Sequence, residues 1–100
     1  MTMTSRHYTQ DRQAREAVIQ SIGYGKPVAT MEVDKGHRNG PEVHTLSTTG
    51  IITIRNKRTR KVITNLIARP GQVRRFFQGQ APGYLLDLAM EHQRLGYNMA

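Results

Sequence analysis

Apolar and polar positions alternate with two different periods along the chain, and the changes of period mark its elements. From Thr9 the spacing is helical: Ala14, Ala17, Val18 and Ile22 fall on one face, with Arg12, Arg15, Glu16 and Gln20 largely opposite. Thr9 is the expected N-cap, and Asp11 suits the positive end of the helix dipole. Gly23-Tyr24-Gly25-Lys26-Pro27 ends the helix, because glycine serves the C-cap and proline cannot continue. Residues 1–8 lack periodicity and are expected to fray or drape over the fold.

Strand-like segments follow. Val28 to Val33 places Ala29, Met31 and Val33 on one face, and Asp34 to Pro41 reads as a loop with two glycines and an Asn-Gly pair. Val43 to Thr48 and Ile51 to Arg55 read as strands joined tightly through Thr49-Gly50. The connection Asn56 to Lys61 has no apolar residue and leads into Val62 to Ala68, whose nearly continuous apolar character predicts a central strand. After Pro70-Gly71, Val73, Phe76 and Phe77 show the anchor spacing of a short helix. A last helix carries a stripe of Leu85, Leu88, Ala89 and Leu95, with Pro82 near its start and Gly96 just past its end. The fold class is α+β: an N-terminal helix, a three- to four-stranded antiparallel sheet and two C-terminal helices. The expected organisation is an N-terminal segment 1–8, a core 9–78, and a linker with a C-terminal helix over 79–100, packed on the core or on a partner.

Composition narrows the classes. One hundred residues make one domain of ordinary size. Without cysteine there is no disulfide scaffold, Cys-ligated zinc or thiol nucleophile. No apolar run is long enough to span a membrane, and the first residues have no signal-peptide core, so a cytoplasmic location is expected. No cofactor or metal is expected, since no His pair has helical ligand spacing.

The net charge of +8 is unevenly placed. Residues 41–80 hold eight basic side chains and one acidic one, so seven of the eight net charges lie there. An acidic partner follows, nucleic acid before anionic lipid. The basic set is Arg55, Lys57, Arg58, Arg60 and Lys61, extended by Arg69, Arg74 and Arg75. It reads either as a solvated turn guarding an edge strand or as a ribbon contacting phosphates. Arginine outnumbers lysine eleven to four, which suits bidentate phosphate contacts. Scarce aromatics favour backbone binding over stacking on single strands.

A second constellation is His37, Arg38, Glu42 and His44, with Arg55 in reach on the same sheet. Metal-independent RNA cleavage needs a base, an acid and cations for the phosphorane, and these residue types supply them. A structural role for His44 and a phosphate contact for His37 are the competing readings. His92, on the apolar side of the last helix, reads as a packed, hydrogen-bonded histidine. The Leu85, Leu88, Leu95 stripe reads as intramolecular core or as a homodimer contact.

The order of elements, with Ser5-Arg6-His7, a helix ending in Gly25-Lys26-Pro27 and a sheet ending in Lys61-Val62-Ile63-Thr64, resembles small phage- and plasmid-borne proteins of the barnase/EndoU/RelE-like class. The block from His37 to Arg75 is similar to small proteins of phages infecting Firmicutes. The resemblance, over roughly residues 5–75, implies one helix followed by a four-stranded antiparallel sheet whose basic face binds RNA, with His7 as the early histidine. Such toxins usually keep catalytic residues near the end of the last strand, where only Arg69 is ionisable here, so the resemblance weighs toward binding. The leading expectation is a protein of mobile-element origin that binds nucleic acid or a ribonucleoprotein through its basic hairpin, as an anti-CRISPR inhibitor of a host complex would. The alternatives are an endoribonuclease of the toxin type and a dimeric interaction protein using the last helix.

Overall fold

A computed structural model describes the backbone of residues 2–36 and 38–98, and the side chains from Arg12 onward except His37. Helix α1 (Thr2–Ile22) is followed by strands β1 (Pro27–Val33), β2 (Glu42–Ser47), β3 (Ile51–Asn56) and β4 (Val62–Ile67), then α2 (Pro70–Arg75) and α3 (Gly83–Arg94). The strands form one antiparallel sheet in the order β1-β2-β3-β4, as a chain of short hairpins dictates. The protein is α+β.

Three expectations about the elements are corrected. Helix α1 begins at Thr2, so Thr9 lies inside it rather than capping it. No Gly or Pro interrupts the stretch from Thr2 to Ile22. The buried side of α1 is also narrower than the alanine pattern predicts. Ile19 is fully buried and Arg15, Val18 and Ile22 are half-buried, while Ala14 and Ala17 face solvent. The helix meets the sheet at β4: Ile19 packs with Ile51 and Ile67, and Arg15 Nη2 donates to Thr64 Oγ1 at 3.4 Å. Finally, β4 is an edge strand, with Val62 and Ile63 left 49% and 43% exposed. Its apolar run borders α1, whereas the central strand β3 buries Ile51, Ile52 and Ile54.

The cross-strand register sorts side chains onto two faces. On one, Leu46, Ile52 and Ile54 pack against Val73 of α2 and against Leu85 and Ala89 of α3. Leu85 and Ala89 are thus spent on intramolecular core, and Leu95, as the C-cap of α3, is 45% exposed. Gly96 (φ 79°) lets the chain end α3 in a Schellman motif. Its N–H donates to Gln93 O at 3.0 Å and Tyr97 N–H to His92 O at 2.8 Å. The Tyr97 and His92 rings meet with centroids 5.9 Å apart. His92 is buried as expected, but its Nδ1 has no hydrogen-bond partner among the described residues. Burial holds the imidazole pKa below its ordinary value, an effect opposed by the nearby Glu91 carboxylate.

The second face is covered only at one end, where Ser47, Ile51 and Ile67 are buried near α1. Toward the β3–β4 hairpin nothing on this face is fully buried: Thr30, Glu32 and Arg55 are exposed, and Val43, Thr45, Thr53 and Asn65 are half-buried.

Candidate nucleic-acid interface

The basic connection between β3 and β4, Lys57 to Lys61, is an ordered five-residue turn. Asn56 organises it: its Oδ1 accepts the backbone N–H groups of Arg58 (2.8 Å) and Thr59 (3.0 Å), and its carbonyl accepts that of Arg60 (2.7 Å). The closing residue, Arg60, takes φ 63°, alone among the described residues other than glycine in having a positive φ. The turn is tied sideways to the β1–β2 loop. Asn56 Nδ2 donates to Asn39 O (3.0 Å) and Lys57 N–H to Pro41 O (3.0 Å). The Arg58 guanidinium lies so close over Gly40 that a Cβ there would come within 3.0 Å of its Cζ.

The cations predicted as a single ribbon divide between two sides of the sheet. Arg55 pairs with Val43 and points to the uncovered face, where it lines a shallow cleft of about 430 Å³ with Val43, Lys57 and Arg60. Lys57 forms an ion pair with Glu32 of β1, the carboxylate of this face nearest the hairpin. Arg55 also lines an adjoining cleft of about 400 Å³ with Thr45, Thr53 and Tyr24. The two clefts therefore make one groove across the face, with cations at one end and an exposed tyrosine at the other. Thr45 and Thr53 line it and belong to the cross-strand row Thr30–Thr45–Thr53–Asn65, in which Thr53 Oγ1 donates to Asn65 Oδ1 at 2.8 Å. Lys61 is exposed at the base of the hairpin.

Arg69, Arg74 and Arg75 lie with α2 on the helix-covered side, because Val73 between them fills the core there. Arg69 Nε donates to the backbone oxygen of Asn98 at 3.0 Å. Arg74 is exposed in the last turn of α2.

The histidine constellation is rearranged rather than assembled as predicted. Glu42 and His44, two residues apart on β2, share a face, and His44 Nε2 lies 3.0 Å from Glu42 Oε1. When Nε2 carries the proton toward Glu42, Nδ1 holds the free lone pair. Arg55 is on the opposite face and does not join them, since its neighbour Ile54 is the residue opposite His44. Arg38 is exposed in the β1–β2 loop, and His37 lies outside the described residues, as does the side chain of His7. The cations that do accompany His44 are Lys35 and Arg75, which line with it, Glu42 and Gln72 a cleft of about 190 Å³.

Sequence reasoning did not place three members of these sites. Tyr24 reads as part of a helix stop, yet it lines the cleft beside Thr45 and Thr53, its hydroxyl donating to Glu16 Oε2 at 3.3 Å; Lys35 reads as part of a loop and Arg75 as part of the hairpin's charge, but the fold brings both to the histidine. Among the described residues, no group of three or more His, Asp or Glu side chains is placed to hold a metal ion. No helix among them is long and apolar enough to cross a membrane.

These features define a small α+β protein with one helix-covered sheet face and one open basic face. Comparison with protein-family models, with curated proteins and with solved structures finds no match to any of them.

Proposed function

We propose that the protein binds the sugar–phosphate backbone of a nucleic acid on its open sheet face. The observation that carries this reading is the groove running from Lys57, Arg60 and Arg55 past Thr45 and Thr53 to Tyr24. Guanidinium groups at one end take phosphates bidentately, the threonine row offers neutral hydrogen bonds to sugar and phosphate, and Tyr24 presents a ring on which a base stacks. The ordered hairpin keeps the cations in place before binding, which lowers the ordering cost. A ribonucleoprotein exposes the same phosphates, and the resemblance to phage-borne proteins makes a host defence complex such as CRISPR one candidate partner.

Binding measured against salt tests the reading: log affinity falls linearly with log salt, at about −0.7 to −0.9 per phosphate contact. A combined Arg55→Gln, Arg60→Gln variant with the parent's affinity and slope overturns it.

The Glu42–His44 pair favours a second reading, metal-independent RNA cleavage on the opposite face. There the carboxylate orients the imidazole, and Lys35 and Arg75 supply cations for the developing charge. RNA that stays intact over hours with the pure protein in EDTA removes this reading and leaves the first untouched.

A further inference from the structure

We infer that the open groove takes a single strand of nucleic acid in preference to a duplex. The inference rests on the proposed binding of nucleic acid to that face and names the form that is bound.

The cross-strand rungs show how charge is laid out on the face. The rung nearest the hairpin reads Glu32–Val43–Arg55–Val62 from β1 to β4, and the next reads Thr30–Thr45–Thr53–Asn65. Arg55, on β3, is the one cation in either rung. Lys57 and Arg60 join it from the hairpin, and Lys57 is paired with the Glu32 carboxylate. A single phosphate chain needs one such line of cations. A duplex brings two chains, on either side of a groove about 6 or about 12 Å wide. Neighbouring strands lie about 4.8 Å apart, so β1 runs about 10 Å from β3. When one chain of a duplex meets Arg55, the other comes down toward β1, where Glu32 repels it, or toward β4, where Val62 and Asn65 offer no charge.

The face also cannot enter a duplex groove. Its four strands span about 14 Å, more than the width of about 12 Å that the major groove offers. The β3–β4 hairpin alone is narrow enough, but it is tied to the β1–β2 loop. Asn56 Nδ2 donates to Asn39 O and Lys57 N–H to Pro41 O, both at 3.0 Å. It therefore does not stand out as a free ribbon. At the far end of the groove Tyr24, 43% exposed, lines the cleft with Thr45 and Thr53. A base stacks on such a ring only after leaving its partner, and a single strand has no pairing to give up.

Fluorescence anisotropy with the full chain tests the inference, using one short labelled DNA oligonucleotide alone and annealed to its complement at the same salt concentration. The single strand should bind about tenfold tighter or more, since one stacked base is worth about that factor. Tyr24→Ala should weaken the single strand by a similar factor and leave the duplex unchanged, while Tyr24→Phe keeps the parent's preference. Glu32→Lys, which puts a cation on β1, should strengthen duplex binding several-fold more than single-strand binding. Both positions are exposed, so neither substitution disturbs the core. Equal or tighter binding of the duplex, or a Tyr24→Ala or Glu32→Lys effect equal on both forms, overturns the inference and leaves the open face as a nucleic-acid site. If neither form binds, the reading beneath it falls and takes the inference with it.

Discussion

His44 and Arg55 lie one step apart in the β2–β3 ladder and face opposite sides of the sheet, because Arg55 pairs with Val43 and His44 with Ile54. The sheet therefore separates the two chemistries that its sequence places side by side. Arg55 belongs to the open groove with Lys57 and Arg60, and His44 to the helix-covered side with Glu42 and Arg75.

That separation predicts how charge removal acts. Each of Arg55→Gln and Arg60→Gln should lower the salt slope of nucleic-acid binding by about 0.7–0.9. Arg74→Gln, on the other side of the sheet, should leave it unchanged. Fluorescence anisotropy of a labelled oligonucleotide over a salt series measures all three, and an equal effect from Arg74→Gln sinks the assignment of the face.

Arg60 at φ 63° should be a residue kept at a cost. A left-handed conformation costs an L-residue other than glycine about 1–2 kcal/mol, and glycine returns part of that gain through its freer unfolded chain. Arg60→Gly should therefore leave stability unchanged or raise it by up to about 1 kcal/mol, while weakening nucleic-acid binding. Urea denaturation beside the binding assay checks both signs; a clear loss of stability would mean that the Arg60 side chain supports the hairpin.

Much of the fold is legible in the sequence because local rules and burial agree. β-Branched runs mark the strands, and Pro82 and Gly96 bracket α3 as its N-cap and the residue past its C-cap. Ile19 escapes the reading because Ala14 and Ala17 compete with it as a stripe, and only contact with β4 decides which side is inward. The edge position of β4 is hidden for a similar reason: an apolar run reads the same whether a strand or a helix flanks it. The site is less legible than the fold. Alternation puts Glu42 and His44 together, but which side of β3 they share depends on the register set by the Ser47–Gly50 turn. The irregularity between Ile54 and Arg55 disturbs parity once more toward β4.

The same turn predicts a contrast between two glycines. Gly25 (φ 72°) lies against it, and a Cβ there would fall 2.6 Å from Thr48 Oγ1 and 3.0 Å from Thr49 N. The approach is tied down by Thr48 Oγ1, which accepts the Lys26 N–H at 3.0 Å, and by Thr49 Oγ1, which donates to Gly23 O at 2.8 Å. Gly25→Ala should cost about 2 kcal/mol or more, from the backbone conformation plus the steric conflict. Gly71, in α2, has no positive φ and nothing within 4 Å of such a Cβ. Gly71→Ala should be neutral or stabilise by about 0.5–1 kcal/mol. Thermal or urea unfolding of the two variants decides, and equal effects contradict the packing described.

His92 predicts an acid sensitivity. Its folded pKa lies below the ordinary value of about 6.5, chiefly through burial, so the unfolded chain binds the proton more readily. The stability that depends on neutral His92 is fully present above about pH 6.5 and is lost as pH falls through the lowered folded pKa. Replacement by leucine, which needs no partner where Nδ1 has none, should flatten the profile as pH falls below about 6.5. Urea denaturation across that range checks it, and parallel profiles for parent and His92→Leu refute it.

Asn56 offers a way to separate the hairpin's shape from its charge. Its side chain accepts two backbone N–H groups of the turn and donates to Asn39 O, so Asn56→Ala releases three hydrogen bonds without removing a cation. Exposed bonds of this kind are worth about 0.5–1.5 kcal/mol each at most, and water recovers much of it, so a stability loss of about 1 kcal/mol is expected. Arg58 and Arg60 should then sample more conformations before binding, and ordering them at the interface takes a further share of the binding free energy. Affinity should fall several-fold while the salt slope stays at the parent's value, because the same phosphates are neutralised. Anisotropy titrations at two or more salt concentrations distinguish the outcomes. An unchanged affinity would mean that the charges act without the turn's geometry, and a shallower slope would mean that the freed hairpin no longer reaches the strand.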